Sequence, residues 1–207
     1  NKLNMTSKPD SMRMKQAAAA VGQCSLMYLY DKFFGDYDKT VAQILLNAED
    51  IEQEEKKENL INTFNALLEM GVIPIVNEND SVSYKEIESE DRLFGDNDML
   101  SAVVAVLCRA RHLVILSDID GFYDHDPRLY PNAKLIEQID TIDDSVYALA
   151  GGAGSRRGTG GMRTKLQAAA LATSQGTDTI VTNGKHPEAL YDIVKGLHAG
   201  TLFPGKI

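Results

Sequence analysis

The chain has 207 residues and a formal net charge of −9; 43% of its residues are hydrophobic and 25% are charged. These values are typical of a globular α/β protein with a substantial core, and the acidic balance argues against a nucleic-acid-binding surface, which requires clustered Lys and Arg. The two cysteines and four histidines lack the spacing of a metal or disulfide site. No apolar run is long enough for a membrane span, so we expect a cytoplasmic protein.

Helical and strand-like segments alternate along the chain. In chain order, the helices are expected at 11–34, 50–70, 98–109 and 164–174, and the strand-forming runs at 41–46, 72–76, 113–116 and 179–182. This alternation predicts an α/β fold, a three-layer α-β-α sandwich with a mostly parallel central sheet. No linker-like segment divides the chain into two domains.

Polar residues follow the predicted strand at 72–76, where ligands bind in open α/β sheets. The segment Asn77-Glu78-Asn79-Asp80 offers amides that can donate to a carboxylate and a carboxylate that can hold an ammonium group. Together these groups suit a free amino acid. The alternative is a polar turn in which Asn and Asp stabilise the backbone.

The segment Gly95-Asp96-Asn97-Asp98 leads into the next predicted helix. A single Asp or Asn there would be explained as a helix cap. Three such residues after a glycine exceed what capping needs, so the segment indicates a site. An Asp at this place can orient lysines or bind an ammonium group.

A third polar segment, Ser117-Asp118-Ile119-Asp120-Gly121-Phe122-Tyr123, follows the strand at 113–116. Its aspartates suggest a calcium loop, but the closing acidic residue and the flanking helices of an EF-hand are missing. A turn that contacts a nucleotide fits better.

The glycine-rich segment from Gly158 to Lys165 precedes an Ala-rich helical run. Glycines let backbone N–H groups approach phosphate oxygens, and the positive end of the following helix points to the same place. Lys165 can supply an ammonium group to the β- and γ-phosphates. The segment is neither a Walker A loop nor a GxGxxG fingerprint, and a flexible glycine turn is the alternative.

The order of these four segments, preceded by 17–23 (AAAAVGQ) and followed by 200–203 (GTLF), resembles the amino acid kinase family, in particular the enzymes that phosphorylate the side-chain carboxylate of glutamate. The resemblance implies an eight-stranded, mostly parallel sheet, with ATP and Mg²⁺ as cofactors and L-glutamate as substrate. The products would be γ-glutamyl phosphate and ADP, in the first step of proline biosynthesis.

The resemblance also assigns roles to individual residues. Glutamate would be held by Asn77, Asp80, Asp96 and Asn97. ATP would be held by Ser117, Asp118, Thr159, Gly160, Gly161, Met162, Arg163, Thr164 and Lys165. Lys165 would also stabilise the transferring phosphoryl group and Asp98 would orient the lysines, while Mg²⁺ would be bound mainly through the ATP phosphates. Such catalysis needs positioning and charge neutralisation rather than a covalent nucleophile.

Two departures from the family pattern shape further expectations. The family opens with a strand, a Lys-x-Gly phosphate loop and a Ser-Gly-Ala-type turn, so we expect residues 1–207 to be an amino acid kinase domain without that N-terminal part and without a C-terminal tail domain. The segment 81–94 is longer than expected, and we hypothesise that residues 86–92 adjust feedback inhibition by proline. Relatives in the family form dimers and tetramers, so a homo-oligomer is expected.

Two other functions compete with the glutamate kinase. Another amino acid kinase, acting on acetylglutamate or aspartate, shares the nucleotide motif; the paired Asn/Asp segments favour a substrate with a free ammonium group, which acetylglutamate lacks. A non-catalytic module that senses glutamate or proline is favoured only by the missing N-terminal motifs.

Overall fold

The computed structural model describes residues 10–82, 97–150 and 159–206; for residues 159 and 160 only the backbone is described. The chain forms two compact units, Asn1–Arg92 and Leu93–Ile207. Each unit is built around parallel strands. Within the described ranges, no helix is long and apolar enough to cross a membrane.

The first unit pairs two strands beside three helices. Its elements are α1 (Met12–Gly35), β1 (Val41–Leu46), α2 (Ala48–Glu52), α3 (Glu54–Glu69) and β2 (Ile73–Glu78). β1 and β2 run parallel, with Val41 opposite Ile73 and Leu46 opposite Glu78. The helix predicted at 50–70 is divided at Gln53 into α2 and α3, and α2 begins earlier than predicted, at Ala48, where Asp50 Oδ2 accepts from the Asn47 N–H at 2.8 Å. Phe64 of α3 is almost fully buried.

The second unit contains four helices and a three-stranded sheet within its described residues. Its elements are α4 (Asn97–Leu107), β3 (His112–Ser117), α5 (Asp144–Ala150), α6 (Thr159–Ser174), β4 (Asp178–Asn183), α7 (Ala189–Val194) and β5 (Thr201–Phe203). The strand order is β3-β4-β5, with β3 and β4 parallel and β5 antiparallel to β4. Its core includes Leu166 and Val181, and the rings of Phe122 and Phe203 meet edge to face at 5.3 Å.

The predicted α/β architecture with mostly parallel pairing is confirmed. The described residues contain five strands in two sheets, whereas the resemblance implies eight. The sequence prediction missed α5, α7 and β5, which are only three to seven residues long. It also began the helix of the glycine-rich segment too late: α6 begins at Thr159, so Thr164 and Lys165 lie inside the helix. Glycines in a terminal turn need no side-chain space and are tolerated there.

β5 anchors the turn that follows β3. Gly200, just before β5, has a φ of +76°, and a Cβ there would lie 2.1 Å from the carbonyl oxygen of Val181. Thr201 is fully buried; its Oγ1 donates to the Ile136 carbonyl at 2.6 Å and accepts from the Phe122 N–H at 2.7 Å. The turn after β3 is thereby tied to the core.

Replacement of Gly200 by Ala tests this close approach. Gly196 also has a φ of +76°, so Ala at either position bears the same backbone cost of about 1–2 kcal/mol. At position 196, no atom of the described residues lies within 4 Å of the new Cβ. We expect Gly200→Ala to lower the free energy of unfolding by about 2 kcal/mol more than Gly196→Ala does, as measured by urea denaturation. Equal losses of unfolding free energy in the two variants would contradict a tight contact between the backbone at Gly200 and β4.

Candidate active site

An ion pair joins α4 to α6. The carboxylate Oδ2 of Asp98 accepts from Lys165 Nζ at 2.9 Å and from Thr164 Oγ1 at 3.1 Å. The side chains of Lys165 and Asp98 are only 15% and 17% exposed. A charge that has lost most of its hydration needs a partner, so each residue fixes the position of the other. The structure brings together these two predicted catalytic residues.

The packing of the two helices explains this meeting. The buried positions on α4 include Ala102 and Ala105, and those on α6 include Ala168, Ala169 and Ala172. Small side chains allow the helices to approach closely. Asp98 lies two residues before the buried Leu100, and Lys165 lies one residue before the buried Leu166, both near the N-terminal ends of their helices. An acidic residue in the first turn of α4 is also favoured by the helix dipole.

The start of α6 has the chemistry that a phosphate group requires. The first N–H groups of an α-helix have no partner within the helix, and they carry a partial positive charge. Lys165 has three N–H donors, and its bond to Asp98 uses one of them. Among the described residues, no atom lies within 4 Å of where a Cβ on Gly161 would stand. These donors and this open backbone fit the phosphates of ATP.

No cluster of three or more His, Cys, Asp or Glu residues that could hold a metal ion occurs in the described ranges. Mg²⁺ needs only one or two carboxylates when substrate phosphates supply the remaining oxygens.

The turn after β3 contains the other predicted ATP-binding residues. Ser117 ends β3, and its Oγ donates to Asp118 Oδ1 at 3.2 Å. The carbonyl of Ser117 accepts from the Gly184 N–H at 2.7 Å. Asp118 is exposed. Ser117 and Asp118 are therefore held at the carboxyl end of β3, where ligands bind in open α/β sheets.

Asp120 in the same turn has two side-chain donors. Its Oδ1 accepts from Asn183 Nδ2 at 2.7 Å, and its Oδ2 accepts from the hydroxyl of Tyr123 at 3.0 Å. These two hydrogen bonds lower the pKa of Asp120 below its ordinary value, and the bond from Asn183 has the larger effect. Burial and the same hydrogen bond raise the pKa of Tyr123. The sequence prediction missed Asn183, although the strand that precedes it was recognised.

The predicted glutamate-binding residues are distributed over both units. Asn77 and Asp80 belong to the first unit: Asn77 lies in β2, and Asp80 lies in the turn after it. Asn97 is exposed at the start of α4 in the second unit. Asp96 lies outside the described residues.

Gln23 of α1 is a further polar residue, and it lies beside Asn77 within the first unit. Its Oε1 lies 3.5 Å from Nδ2 of Asn77. Its Nε2 is buried and has no hydrogen-bond partner among the described residues. Buried amide donors are normally paired, so this one is available to an acceptor such as a carboxylate. The sequence prediction quoted the segment 17–23 but gave Gln23 no role; nothing in the sequence alone indicated it.

Known proteins resemble this chain in sequence and in fold. Residues 2–183 match the model of the amino acid kinase family. A glutamate 5-kinase from Clostridium perfringens is 54% identical over 205 residues, which cover 99% of this chain and 76% of the relative. A glutamate 5-kinase from Listeria innocua is 47% identical, with 100% and 74% covered, and one from Clostridium acetobutylicum is 48% identical, with 98% and 74% covered.

Solved structures with much lower identity share the fold. UMP kinase from Ureaplasma parvum has a TM-score of 0.59 at 16% identity, with 98% of this chain and 74% of that chain covered. Isopentenyl phosphate kinase from T. acidophilum has a TM-score of 0.57 at 21% identity, with 88% and 66% covered. At these identities the similarity to the solved structures shows the fold alone, whereas the sequence relatives and the family model show the family. The chain belongs to the amino acid kinase family and, within it, to the glutamate 5-kinases.

Proposed function

We propose that this chain transfers the γ-phosphoryl group of ATP to the γ-carboxylate of L-glutamate, with Mg²⁺, and so performs the first step of proline biosynthesis. The observation that carries this proposal is the 54% identity to a glutamate 5-kinase over 99% of the chain. The Asp98–Lys165 pair beside the N-terminus of α6 supplies the chemistry that phosphoryl transfer needs. Several similar relatives are named glutamate 5-kinase, which favours this reaction over that of acetylglutamate or aspartate kinases.

The reaction requires little beyond positioning. The γ-carboxylate of glutamate is already ionised at neutral pH, so no general base is needed. One of its oxygens attacks the γ-phosphorus of ATP, and the bond to the oxygen of the β-phosphate breaks as ADP leaves. A magnesium ion that arrived with the nucleotide would neutralise part of the charge of the phosphates. Lys165 donates to the transferring phosphoryl oxygens, and Asp98 keeps its ammonium group in place.

The nucleotide and the amino acid are assigned to separate sets of residues. Ser117, Asp118 and the segment 159–165 hold ATP. Asn77, Asp80, Asp96 and Asn97 hold glutamate. The amide donor of Gln23, which has no partner within the described ranges, supports an acceptor near Asn77, and we add Gln23 to the glutamate-binding residues as a donor to a substrate carboxylate.

Replacement of Lys165 tests the reaction. The assay uses the full-length protein and measures ADP release with ATP and Mg²⁺ and either glutamate, acetylglutamate or aspartate, with hydroxylamine present to trap an acyl phosphate. We expect turnover and a trapped hydroxamate with glutamate, and a fall in kcat of about 10²- to 10³-fold in Lys165→Ala. Lys195→Ala removes an exposed lysine after α7 and serves as the control.

If none of the three substrates supports turnover despite an intact N-terminus, while the protein binds glutamate in calorimetry, the proposal is contradicted and the protein is a non-catalytic amino-acid-binding module. If acetylglutamate or aspartate is preferred over glutamate, the substrate assignment is wrong.

We also propose that proline inhibits the enzyme and that residues 86–92 adjust this inhibition. These residues lie outside the described ranges, so the proposal depends on the length of the segment 81–94. A variant with residues 86–92 deleted is expected to need a different proline concentration for half-maximal inhibition, while the KM for ATP stays unchanged. Equal sensitivity to proline in the two proteins would count against a regulatory role.

A homo-oligomer, either a dimer or a tetramer, is proposed as the assembled form. α1 has no buried residue, and it exposes Phe33 and Tyr28 at 59% and 64%. Exposed aromatic side chains on one helix are a common feature of protein interfaces. We expect Phe33→Lys to shift sedimentation toward the monomer, and the matched change Val194→Lys in α7 to leave it unchanged. An unaltered sedimentation coefficient in Phe33→Lys would exclude this part of α1 from the interface.

A further inference from the structure

Two polar turns lie side by side at one edge of the sheet in the second unit. β3 and β4 are parallel neighbours, and their last residues, Ser117 and Asn183, are partners in the register. The chain leaves both strands at the same edge. The turn 117–120 carries the two predicted ATP-binding residues of this region, whereas no role has been assigned to the turn 183–185.

Side-chain and backbone bonds join the two turns. Asn183 Nδ2 donates to Asp120 Oδ1 at 2.7 Å, while Asn183 Oδ1 accepts from its own turn, from the Lys185 N–H at 3.0 Å. The Gly184 N–H donates to the Ser117 carbonyl at 2.7 Å. Asn183 therefore uses both ends of its amide, one to order its own turn and one to hold Asp120.

The approach of the two turns leaves little spare room. A Cβ on Gly184 would lie 3.3 Å from Cβ of Leu116 and 3.4 Å from the Ser117 carbonyl oxygen. Tyr123, three residues after Asp120, donates its hydroxyl to the other carboxylate oxygen of Asp120. The Asp120 carboxylate is thus held from both sides, and the backbone of 117–120 is fixed between β3 and Asn183.

This network has little to do with the core of the unit. Asp120 is exposed and Asn183 is half-buried, and exposed polar contacts contribute little to folding stability. The core side of the turn is already secured by Thr201, which holds the N–H of Phe122. The bond between Asp120 and Asn183 acts instead on the exposed part of the turn, where Ser117 and Asp118 lie.

We propose that Asp120 and Asn183 are positioning residues for ATP: the hydrogen bond between their side chains holds the turn 117–120 in the shape in which Ser117 and Asp118 contact the nucleotide. The inference rests on the proposed function, because it takes ATP as the ligand of this turn. Neither residue contacts the reacting atoms. We therefore expect that breaking this hydrogen bond lowers the affinity for the nucleotide and leaves kcat nearly unchanged.

An exchange of the two side chains, made in two steps, tests the hydrogen bond between Asn183 and Asp120. Asn183→Asp places two carboxylates at the 2.7 Å contact, where like charges repel. Adding Asp120→Asn restores a donor and an acceptor: Asn at 120 donates to Asp at 183 and still accepts from the Tyr123 hydroxyl. The Lys185 N–H keeps its acceptor in the double variant. Gln138→Glu is the matched control, since Gln138 donates to Asp140 at 2.6 Å in a segment that pairs with β5 instead.

The measurements are the KM for ATP, the KM for glutamate, kcat and the dissociation constant for ADP without glutamate. We expect Asn183→Asp to raise the KM for ATP and the ADP dissociation constant about tenfold, with kcat and the KM for glutamate within about twofold. The double variant should return both nucleotide constants to within about threefold of the unmodified protein. Gln138→Glu should change none of them.

Several outcomes would overturn the inference. Unchanged nucleotide constants in Asn183→Asp would do so, as would a double variant no better than Asn183→Asp. A parallel loss of kcat and of affinity for both substrates, together with a lower melting temperature, would indicate a purely structural role. If Asn183→Asp does not fold, Asn183→Ala removes the bond without repulsion, and the same split between ATP and glutamate constants is required.

The ADP titration separates this inference from the proposed function. If the unmodified chain shows no glutamate-dependent turnover, the proposed reaction fails, yet ADP binding by the three variants still tests the role of Asp120 and Asn183. If the unmodified chain turns over glutamate and the variants bind ADP equally well, the reaction stands and the positioning role is wrong.

Discussion

The ion pair between Asp98 and Lys165 is the interaction on which the proposed chemistry of this chain depends. Lys165 lies in the second turn of α6, close to the positive end of the helix, which is an unfavourable place for a cation. Asp98 offsets that cost, and the packing of α4 against α6 keeps the pair away from most of the solvent. One carboxylate therefore faces an ammonium group and a helix N-terminus, which leaves a local excess of positive charge that suits a transferring phosphoryl group.

The turn after β3 shows how a fold separates stability from binding. On its inner side, the fully buried hydroxyl of Thr201 connects the Phe122 N–H to the Ile136 carbonyl, and breaking such buried bonds is costly. On its outer side, Asn183 and Tyr123 hold the exposed carboxylate of Asp120, where each bond adds little to folding. The bonds to Asp120 thus act on the shape of the exposed turn, in keeping with its proposed role in binding the nucleotide.

The sequence predicted the parts that depend on local patterns. Runs such as Val41–Leu46 form strands because β-branched and other apolar side chains fit the pleated, half-buried surface of a sheet. It could not predict β5, whose three residues form a strand only because Gly200 permits close contact with Val181. The contacts of Asp98 with Lys165 and of Asp120 with Asn183 join residues more than sixty positions apart. Motif order suggested the first contact, whereas the second depends on the register of β3 and β4, which no local pattern encodes.

The chain has a net charge of −9, so carboxylates near a binding site would repel the phosphates of a nucleotide. Near the turn after β3, the aspartates are matched by donors. Asp126 is held by the guanidinium of Arg128, and that contact, together with the nearby charge of Asp118, raises the pKa of Arg128. Asp120 is held by Asn183 and Tyr123, and the charges of His186 and Lys185 further lower its pKa. The Arg128 guanidinium offsets the charge of Asp126, whereas the neutral donors of Asp120 leave its charge in place. In the proposed reaction, the positive end of α6 and Lys165 therefore have to supply the attraction for the nucleotide phosphates.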